Sequence, residues 1–323
     1  MSATVKSYLV RKIDRDNHVI CFNPEKHGKI TGSRFLAVIG KDSFMSEFKA
    51  ACLISRMYSE YEPTKYTEAG DIIEPIIRSY VRDNWQELLG EKLQLGNGDK
   101  ITVEDPVEKR DCHYDHFGSE PVFGGLVDGY IRINGSRRAV LEIKTSSHRD
   151  AWEDGKIPEG YLLQASLYAE LSGLDTIVFA VGFLEDEDYD SPKDWVPDNG
   201  NFLIVSVHKK DIADEMSYAE EWFRKYILRG MTPKWEDRDA KVVGCFIQRD
   251  LFFVDADLMS RIDEYIGMPE SDERTDLADE IKNALAEKMT SDDYSIKYEQ
   301  NGYLFTVTKT DEGYIMTVSK TEL

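Results

Sequence analysis

The spacing of apolar residues along the chain predicts both helices and strands. Residues 68–90 repeat apolar side chains every three or four positions, which is typical of a helix with one buried face. Proline is tolerated in the first turn of a helix, so Pro75 predicts that this helix begins near Asp71 and that Glu74 lies at its N-terminus. Similar spacing predicts helices at 35–58, after a turn-like segment at 27–33, and at 157–173 and 211–229.

Shorter apolar runs, separated by turn residues, predict strands. The run 176–184 is continuously apolar, as expected for a strand buried on both faces. The turn Asn134-Gly135 joins two predicted strands into a hairpin. The predicted strands are 101–104, 121–134, 138–145, 176–184 and 201–209, with an acidic loop at 185–200.

The pattern changes near residue 240. Two helical stretches, 255–267 and 275–289, precede three short strands with alternating apolar residues, at 294–300, 302–310 and 313–320. We therefore predict two domains, a larger one at 1–240 and a small C-terminal α+β module at 241–323.

Strand 138–145 carries two charged residues inside an apolar run. Glu142 and Lys144 share one face, because side chains at i and i+2 of a strand point the same way. A salt bridge at an exposed sheet edge would explain this pair without any function. Asp128 is brought towards Glu142 by the hairpin, among glycines that permit close approach of a ligand. With Glu74, three carboxylates and a lysine suit a hard cation such as Mg²⁺.

Composition narrows the class of protein. Of 323 residues, 41% are hydrophobic and 31% are charged, and no apolar run is long enough for a membrane span, so we expect a soluble cytoplasmic protein without a membrane partner. The net charge of −21 argues against nucleic acid. Residues 1–66, however, hold 11 Lys and Arg against 7 Asp and Glu, so a basic face on an acidic body stays open.

The order Glu74, Asp128, Glu142-Ile143-Lys144 and Gln164 resembles the PD-(D/E)XK nuclease core. It resembles more closely the lambda-exonuclease-like branch, the YqaJ viral recombinases of phages and prophages. The segments AGDIIEP, Thr31-Gly32-Ser33 and Tyr161-Leu162-Leu163-Gln164 match further motifs of that branch, over roughly residues 25–230. One departure is Val127 before Asp128, where the family usually has proline. The resemblance implies a restriction-endonuclease-like α/β fold, with a mixed central sheet flanked by helices.

The resemblance also implies roles for single residues. Glu74, Asp128, Glu142 and the Ile143 carbonyl would hold one or two Mg²⁺ ions, for which Mn²⁺ can substitute. Lys144 would lie beside the attacking water, and Gln164 would hold the water or the lysine, unless it is a simple amide on the helix surface. The residues implied to bind DNA or its 5′-phosphate are Ser33, Arg34, Lys41 and Tyr161.

The implied activity is a Mg²⁺-dependent exonuclease that degrades linear double-stranded DNA from 5′ to 3′ and leaves 3′ overhangs for phage-type recombination. The implied partners are DNA ends, a single-strand annealing protein and further copies of the chain in a cyclic homo-oligomer, with a trimer favoured over a monomer. The implied location is the cytoplasm of a bacterial or phage-infected host cell.

Two alternatives stay open. A nuclease of the CRISPR-adaptation or helicase-linked type shares the core, but several of these hold an iron–sulfur cluster on four cysteines. Cys245 is the only cysteine after Cys112, so we expect no iron–sulfur cluster. The chain could also be a catalytically silent protein that binds DNA ends.

Overall fold

Thirteen strands and ten α-helices are formed by residues 2–61, 64–96 and 98–321, the part of the chain described by the structure, which is a computed structural model. The strands are β1 (Ser2–Val5), β2 (Val10–Asp14), β3 (Val19–Phe22), β4 (Tyr58–Tyr61), β5 (Ile101–Glu104), β6 (Gly129–Ile133), β7 (Ser136–Ser146), β8 (Thr176–Phe183), β9 (Phe202–His208), β10 (Arg249–Leu251), β11 (Ser295–Gln300), β12 (Tyr303–Thr310) and β13 (Gly313–Lys320). The helices are α1 (Gly32–Val38), α2 (Glu47–Ile54), α3 (Lys65–Asp83), α4 (Trp85–Leu89), α5 (Glu159–Leu171), α6 (Asp186–Asp190), α7 (Ala213–Trp222), α8 (Ala240–Phe246), α9 (Ala256–Gly267) and α10 (Asp272–Ala286). Within these described ranges, no helix combines the length and the apolar composition needed to cross a membrane.

These elements belong to two compact units. The first unit combines Met1–Gly28, Ser46–Tyr61 and Tyr226–Leu323, and the second combines Lys29–Met45 with Glu62–Lys225. Every residue predicted to act in catalysis or DNA binding belongs to the second unit. The predicted domain boundary at 240 falls elsewhere than the limits of these units and stays a prediction.

The second unit is built on a mixed five-stranded sheet in the order β5-β6-β7-β8-β9. Strands β7 and β8 are parallel and are connected through α5, whereas the other neighbours are antiparallel. Asn134 and Gly135 both have positive φ angles, 52° and 82°, as a tight hairpin between β6 and β7 requires. The predicted fold class, an α/β protein with a mixed central sheet flanked by helices, is confirmed.

Alternating side chains of β7 give the sheet two apolar faces. Leu141 and Ile143 pack in one core with Ile73 of α3. Val140 packs in the other core with Tyr168 of α5. Glu142 and Lys144 alternate with Leu141 and Ile143 and therefore lie on the α5 side, in the middle strand of the sheet. The alternative of a salt bridge at an exposed sheet edge is wrong, because Glu142 is only 1% exposed.

Helix α3 begins earlier than the sequence predicts. Thr64 and Thr67 cap its N-terminus reciprocally, and Pro75 lies well inside the helix. The predicted start near Asp71 is therefore wrong, and Glu74 is mid-helical rather than N-terminal. A proline inside a helix costs about 3 kcal/mol. Burial of the apolar face on both sides of Pro75, from Ala69 to Val81, offsets this cost.

Four other segments differ from the prediction. Within the segment 121–134, only β6 pairs with neighbouring strands of the sheet. Phe123 forms an isolated bridge with Ile30 instead. The segment 27–33 ends inside α1, whose N-cap is Thr31. The helical pattern at 35–58 is divided between α1 and α2, and 211–229 forms α7 followed by one π-helical stretch. In each case the apolar pattern shows which residues are buried, whereas backbone hydrogen bonds determine where a helix or strand begins and ends.

In the first unit, α9 and α10 pack on a four-stranded sheet in the order β10-β11-β12-β13. Leu258, Ile262 and Leu285 of the helices meet Phe305 and Val307 of β12 in a buried core. The two helices and three strands predicted for the C-terminal region are confirmed. Strand β10 was not predicted, since three residues are too few to show a pattern.

Candidate active site

Glu142 lies at the centre of the site, on β7. Its Oε1 accepts hydrogen bonds from Lys144 Nζ at 2.7 Å and from Gln164 Nε2 of α5 at 3.3 Å. Three residues predicted from the sequence are therefore brought together. The alternative that Gln164 is a simple surface amide is wrong, because its side chain reaches this buried carboxylate.

Asp128 joins the same site from the end of the loop before β6. Its Oδ2 accepts a hydrogen bond from the Ile143 N–H at 2.8 Å, which places the carboxylate beside the Glu-x-Lys strand. The antiparallel register of β6 and β7, with Gly129 opposite Leu141, produces this position. The hairpin thus has the effect that the sequence predicts for it.

Glu74 is connected to Asp128 through a residue that the sequence analysis missed. The Arg78 guanidinium forms an ion pair with Glu74, and its Nε donates a hydrogen bond to the Asp128 main-chain carbonyl at 2.8 Å. The signal in the sequence was the spacing of Glu74 and Arg78, since residues four apart on a helix are neighbours.

Electrostatics couple the three acids and the lysine. Burial, together with the charges of Asp128 and Glu74, raises the pKa of Glu142 to about 7. Burial also raises the pKa of Asp128, and burial and the Asp128 charge raise the pKa of Glu74. Burial alone would lower the pKa of Lys144, but the charges of Glu142 and Asp128 outweigh it and hold that pKa above its ordinary value. Lys144 is therefore protonated at neutral pH.

The carboxylates supply oxygen ligands of the type that Mg²⁺ prefers. Among the described residues, no three His, Cys, Asp or Glu side chains form a ready-made metal cluster. Glu142 Oε2, however, is buried and makes no hydrogen bond to any described residue, which is costly for a carboxylate oxygen. The carboxylate ligands and Glu142 Oε2, unpaired among the described residues, fit a hard divalent cation. Glu74 is ion-paired with Arg78.

Four of the predicted residues line one cavity of about 550 Å³ beside the site: Ser33, Lys41, Tyr161 and Gln164. The Tyr161 ring lies 5.2 Å from Lys144 Nζ. Arg34, next to Ser33 in α1, is not among the residues that line this cavity. The Lys41 ammonium is shared between Glu215 at 3.2 Å and Glu159 at 3.6 Å.

The predicted phosphate-binding turn at Thr31-Gly32-Ser33 is the first turn of α1. The Gly32 N–H donates to the Tyr168 hydroxyl at 3.2 Å, and the Arg34 N–H donates to the Thr31 carbonyl at 2.9 Å. These two N–H groups are therefore already used. A role for Ser33 and Arg34 in binding a 5′-phosphate stays a prediction that rests on their side chains.

Glycines allow the backbone to approach α5 closely. A Cβ atom on Gly32 would lie 2.6 Å from Gln164 Cγ, and a Cβ on Gly125 would lie 2.7 Å from the Tyr168 ring. Gly125 also has a φ of 143°. At Gly125 the absence of a side chain therefore makes room for the Tyr168 ring, and close approach of a ligand to these glycines stays a prediction.

Comparison with known proteins gives distant likenesses. No family model matches the chain. The chain is 28% identical over 253 residues to the uncharacterized protein MG373 of Mycoplasma genitalium, covering 65% of this chain and 85% of that protein. It is 27% identical over 272 residues to the homologue in Mycoplasma pneumoniae, covering 69% and 92%.

Among solved structures, an alkaline exonuclease, LHK-Exo, from Laribacter hongkongensis has a TM-score of 0.41 and 18% identity, covering 61% of this chain and 87% of that one. A phage-related exonuclease from Haemophilus somnus 129PT has a TM-score of 0.41 and 16% identity, covering 63% and 95%. Likenesses at this level carry no functional argument, so the case for function rests on the residues of the site.

Proposed function

We propose that the protein is a Mg²⁺-dependent deoxyribonuclease that shortens linear double-stranded DNA from its ends. The observation that carries the proposal is the buried Glu142, which lies beside the half-buried Asp128 and Lys144 and has one carboxylate oxygen without a hydrogen bond to any described residue. A buried carboxylate oxygen without a hydrogen bond does not stabilise a protein core, whereas a site that binds a cation needs such an oxygen.

The residues divide the work of phosphodiester hydrolysis. A bound Mg²⁺ would offset negative charge on the phosphate and favour deprotonation of the attacking water. Glu74, Asp128, Glu142 and the Ile143 carbonyl would hold it. Lys144 and Gln164 engage Glu142 Oε1 and so leave Oε2 for the cation. Lys144, held protonated, acts as a fixed positive charge and hydrogen-bond donor rather than as a base.

The cavity beside the site would receive the end of the DNA. Tyr161 offers an aromatic ring to a base or sugar, and Lys41 and Ser33 offer polar groups to phosphate oxygens. Arg34 would approach the 5′-phosphate from the same turn of α1. This side of the site is therefore where we place the strand that is cut.

The finer points of the proposal follow from the resemblance to the lambda-exonuclease-like branch. They are digestion from 5′ to 3′ with 3′ overhangs, use of Mn²⁺ in place of Mg²⁺, a single-strand annealing protein as partner, a cyclic homo-oligomer with three copies favoured, and action in the cytoplasm of a bacterial or phage-infected cell.

The test follows end-labelled duplex DNA, with 5′-phosphate or 5′-hydroxyl ends, over time in Mg²⁺ or EDTA. We expect mononucleotides to be released in Mg²⁺ only, faster from 5′-phosphate ends. Lys144→Ala should bind DNA and Mg²⁺ but lose turnover by about 100- to 1000-fold, because a positioned donor is removed. Lys209→Ala, which removes a lysine paired with Glu170 and Asp175 away from the site, is the matched control.

Three outcomes would count against the proposal. Tight binding of DNA ends without release of nucleotides would favour the catalytically silent end-binding protein. A brown, iron-containing preparation would favour the iron–sulfur nucleases of the same fold. Wild-type turnover in Lys144→Ala would show that the proposed mechanism is wrong.

A further inference from the structure

Arg78 connects two parts of the site that come from distant positions in the sequence. The residue lies on α3, and its side chain is only 12% exposed. Its terminal nitrogen engages the Glu74 carboxylate, and its Nε engages the main-chain carbonyl of Asp128, 50 positions further along the chain. One rigid guanidinium therefore fixes a helix residue against the loop that ends at β6.

The Arg78 contact compensates negative charge in the site. The charges of Asp128 and Glu74 both act on Glu142, and Lys144 compensates Glu142 directly. Arg78 is the second cation in contact with the group, and a guanidinium keeps its charge under all ordinary conditions. Without it, Glu74 would face the charge of Asp128 without its ion-pair partner, beside a cavity of about 720 Å³ that Glu74 and Arg78 both line.

Helix α3 positions the Glu74 backbone but not the end of its side chain. Pro75 removes its own hydrogen bond to the Asp71 carbonyl and restricts the backbone of Glu74, the residue before it. The Glu74 side chain extends beyond this backbone, and the Arg78 guanidinium fixes its carboxylate through a planar fork that also contacts the Asp128 carbonyl.

Building on the proposed nuclease function, we propose that Arg78 is a positioning residue that holds Glu74 beside Asp128 and so prepares the carboxylates to receive the cation. It touches neither the phosphate nor the attacking water. Its effect on hydrolysis passes through Glu74.

The test measures Mg²⁺ binding to the DNA-free protein by isothermal titration calorimetry. We expect Arg78→Gln and Arg78→Lys to weaken Mg²⁺ binding by about 10- to 100-fold, as loss of a partner that orients a metal ligand typically does. The lysine variant keeps the charge but cannot form the two-way fork. Arg82→Gln is the matched control, since Arg82 lies one turn later on α3 and pairs with Asp105. It should bind Mg²⁺ as the wild type does.

Two further measurements separate positioning from a general structural role. In cleavage assays the Mg²⁺ concentration for half-maximal rate should rise in the Arg78 variants, while the KM for DNA should stay unchanged. In a Glu74→Gln background, Arg78→Gln should cause no additional loss of Mg²⁺ affinity. The same loss in both backgrounds would overturn the inference, because Arg78 would then not act through Glu74.

The inference and the proposed function fail in different ways. Wild-type protein that binds Mg²⁺ but leaves DNA intact would refute the nuclease while the effect of Arg78 on Mg²⁺ binding persisted. Arg78 variants that bind Mg²⁺ as tightly as the wild type, or more tightly, would refute the positioning role even with full cleavage. A wild type that does not bind Mg²⁺ would refute both.

Discussion

Replacing Glu142 by glutamine should change how the stability of the protein depends on pH. Burial raises the pKa of Glu142 from 4.5 to about 7, and the charges of Asp128 and Glu74 add to the rise. The folded protein therefore retains the Glu142 proton over a range of pH in which the unfolded chain has already released it. Glutamine has nearly the same shape and cannot ionise.

The sign and the magnitude follow from proton binding. Between pH 4.5 and 7 the native state binds more protons than the unfolded state, so the free energy of unfolding falls as the pH rises. The loss is absent well below pH 4.5 and is nearly full above pH 7. At about 1.4 kcal/mol per pH unit, it amounts to about 3 kcal/mol. Water does not screen the Glu142 charge appreciably, because Glu142 is only 1% exposed.

Urea unfolding in EDTA at pH 5, 6, 7 and 8 measures this effect. Between pH 5 and pH 8, we expect the free energy of unfolding of Glu142→Gln to rise by about 2 to 3 kcal/mol relative to that of the wild type. Glu104→Gln is the control, because Arg137 and Arg132 hold the pKa of Glu104 at about 2 and its contribution is constant over this range. A difference between Glu142→Gln and wild type that stays flat from pH 5 to pH 8 would refute the reasoning.

Three further outcomes are expected. Gly125→Ala should lower the free energy of unfolding by about 2 kcal/mol, measured in urea, because its Cβ would meet the Tyr168 ring at 2.7 Å; unchanged stability would contradict the observed close approach. Tyr168→Phe leaves the Gly32 N–H without its acceptor and should cost about 1 kcal/mol in the same assay; Tyr130→Phe, in the same core, should cost less, because the partner of the Tyr130 hydroxyl is the rotatable Ser172 hydroxyl. Light scattering should give a mass near three times 37.1 kDa, and a mass near 37.1 kDa would discard the ring.

The local sequence pattern was sufficient to predict the secondary structure wherever burial and backbone geometry agree. The run 176–184 is apolar because β8 is buried on both faces, and Asn134-Gly135 marks a turn because both positions need positive φ. The start of α3 could not be predicted, since the rule for proline is local whereas the packing that overrides it comes from the sheet.

The site shows the same division. Glu142 and Lys144 could be identified because their spacing on one strand is visible in the sequence, whereas Gln164 was identified through the family resemblance. For Arg78, the i,i+4 spacing indicates the ion pair with Glu74, but the second contact is to a main-chain carbonyl and leaves no mark on residue identity. Tyr168 was overlooked for a similar reason, because its hydroxyl meets the backbone N–H of Gly32.

The discontinuous first unit has a consequence for biosynthesis. A ribosome makes the chain from its N-terminus, so Lys29–Met45 and Glu62–Lys225 are synthesised before Tyr226–Leu323. β1 and β4 can pair early, whereas Ser46 must wait for Asp239, and Tyr58 for Phe246. In a chain that ends at residue 240 and has been released from the ribosome, the sheet that bears the acidic cluster should already resist protease. The N-terminal segments should stay sensitive until β11, β12 and β13 have been translated.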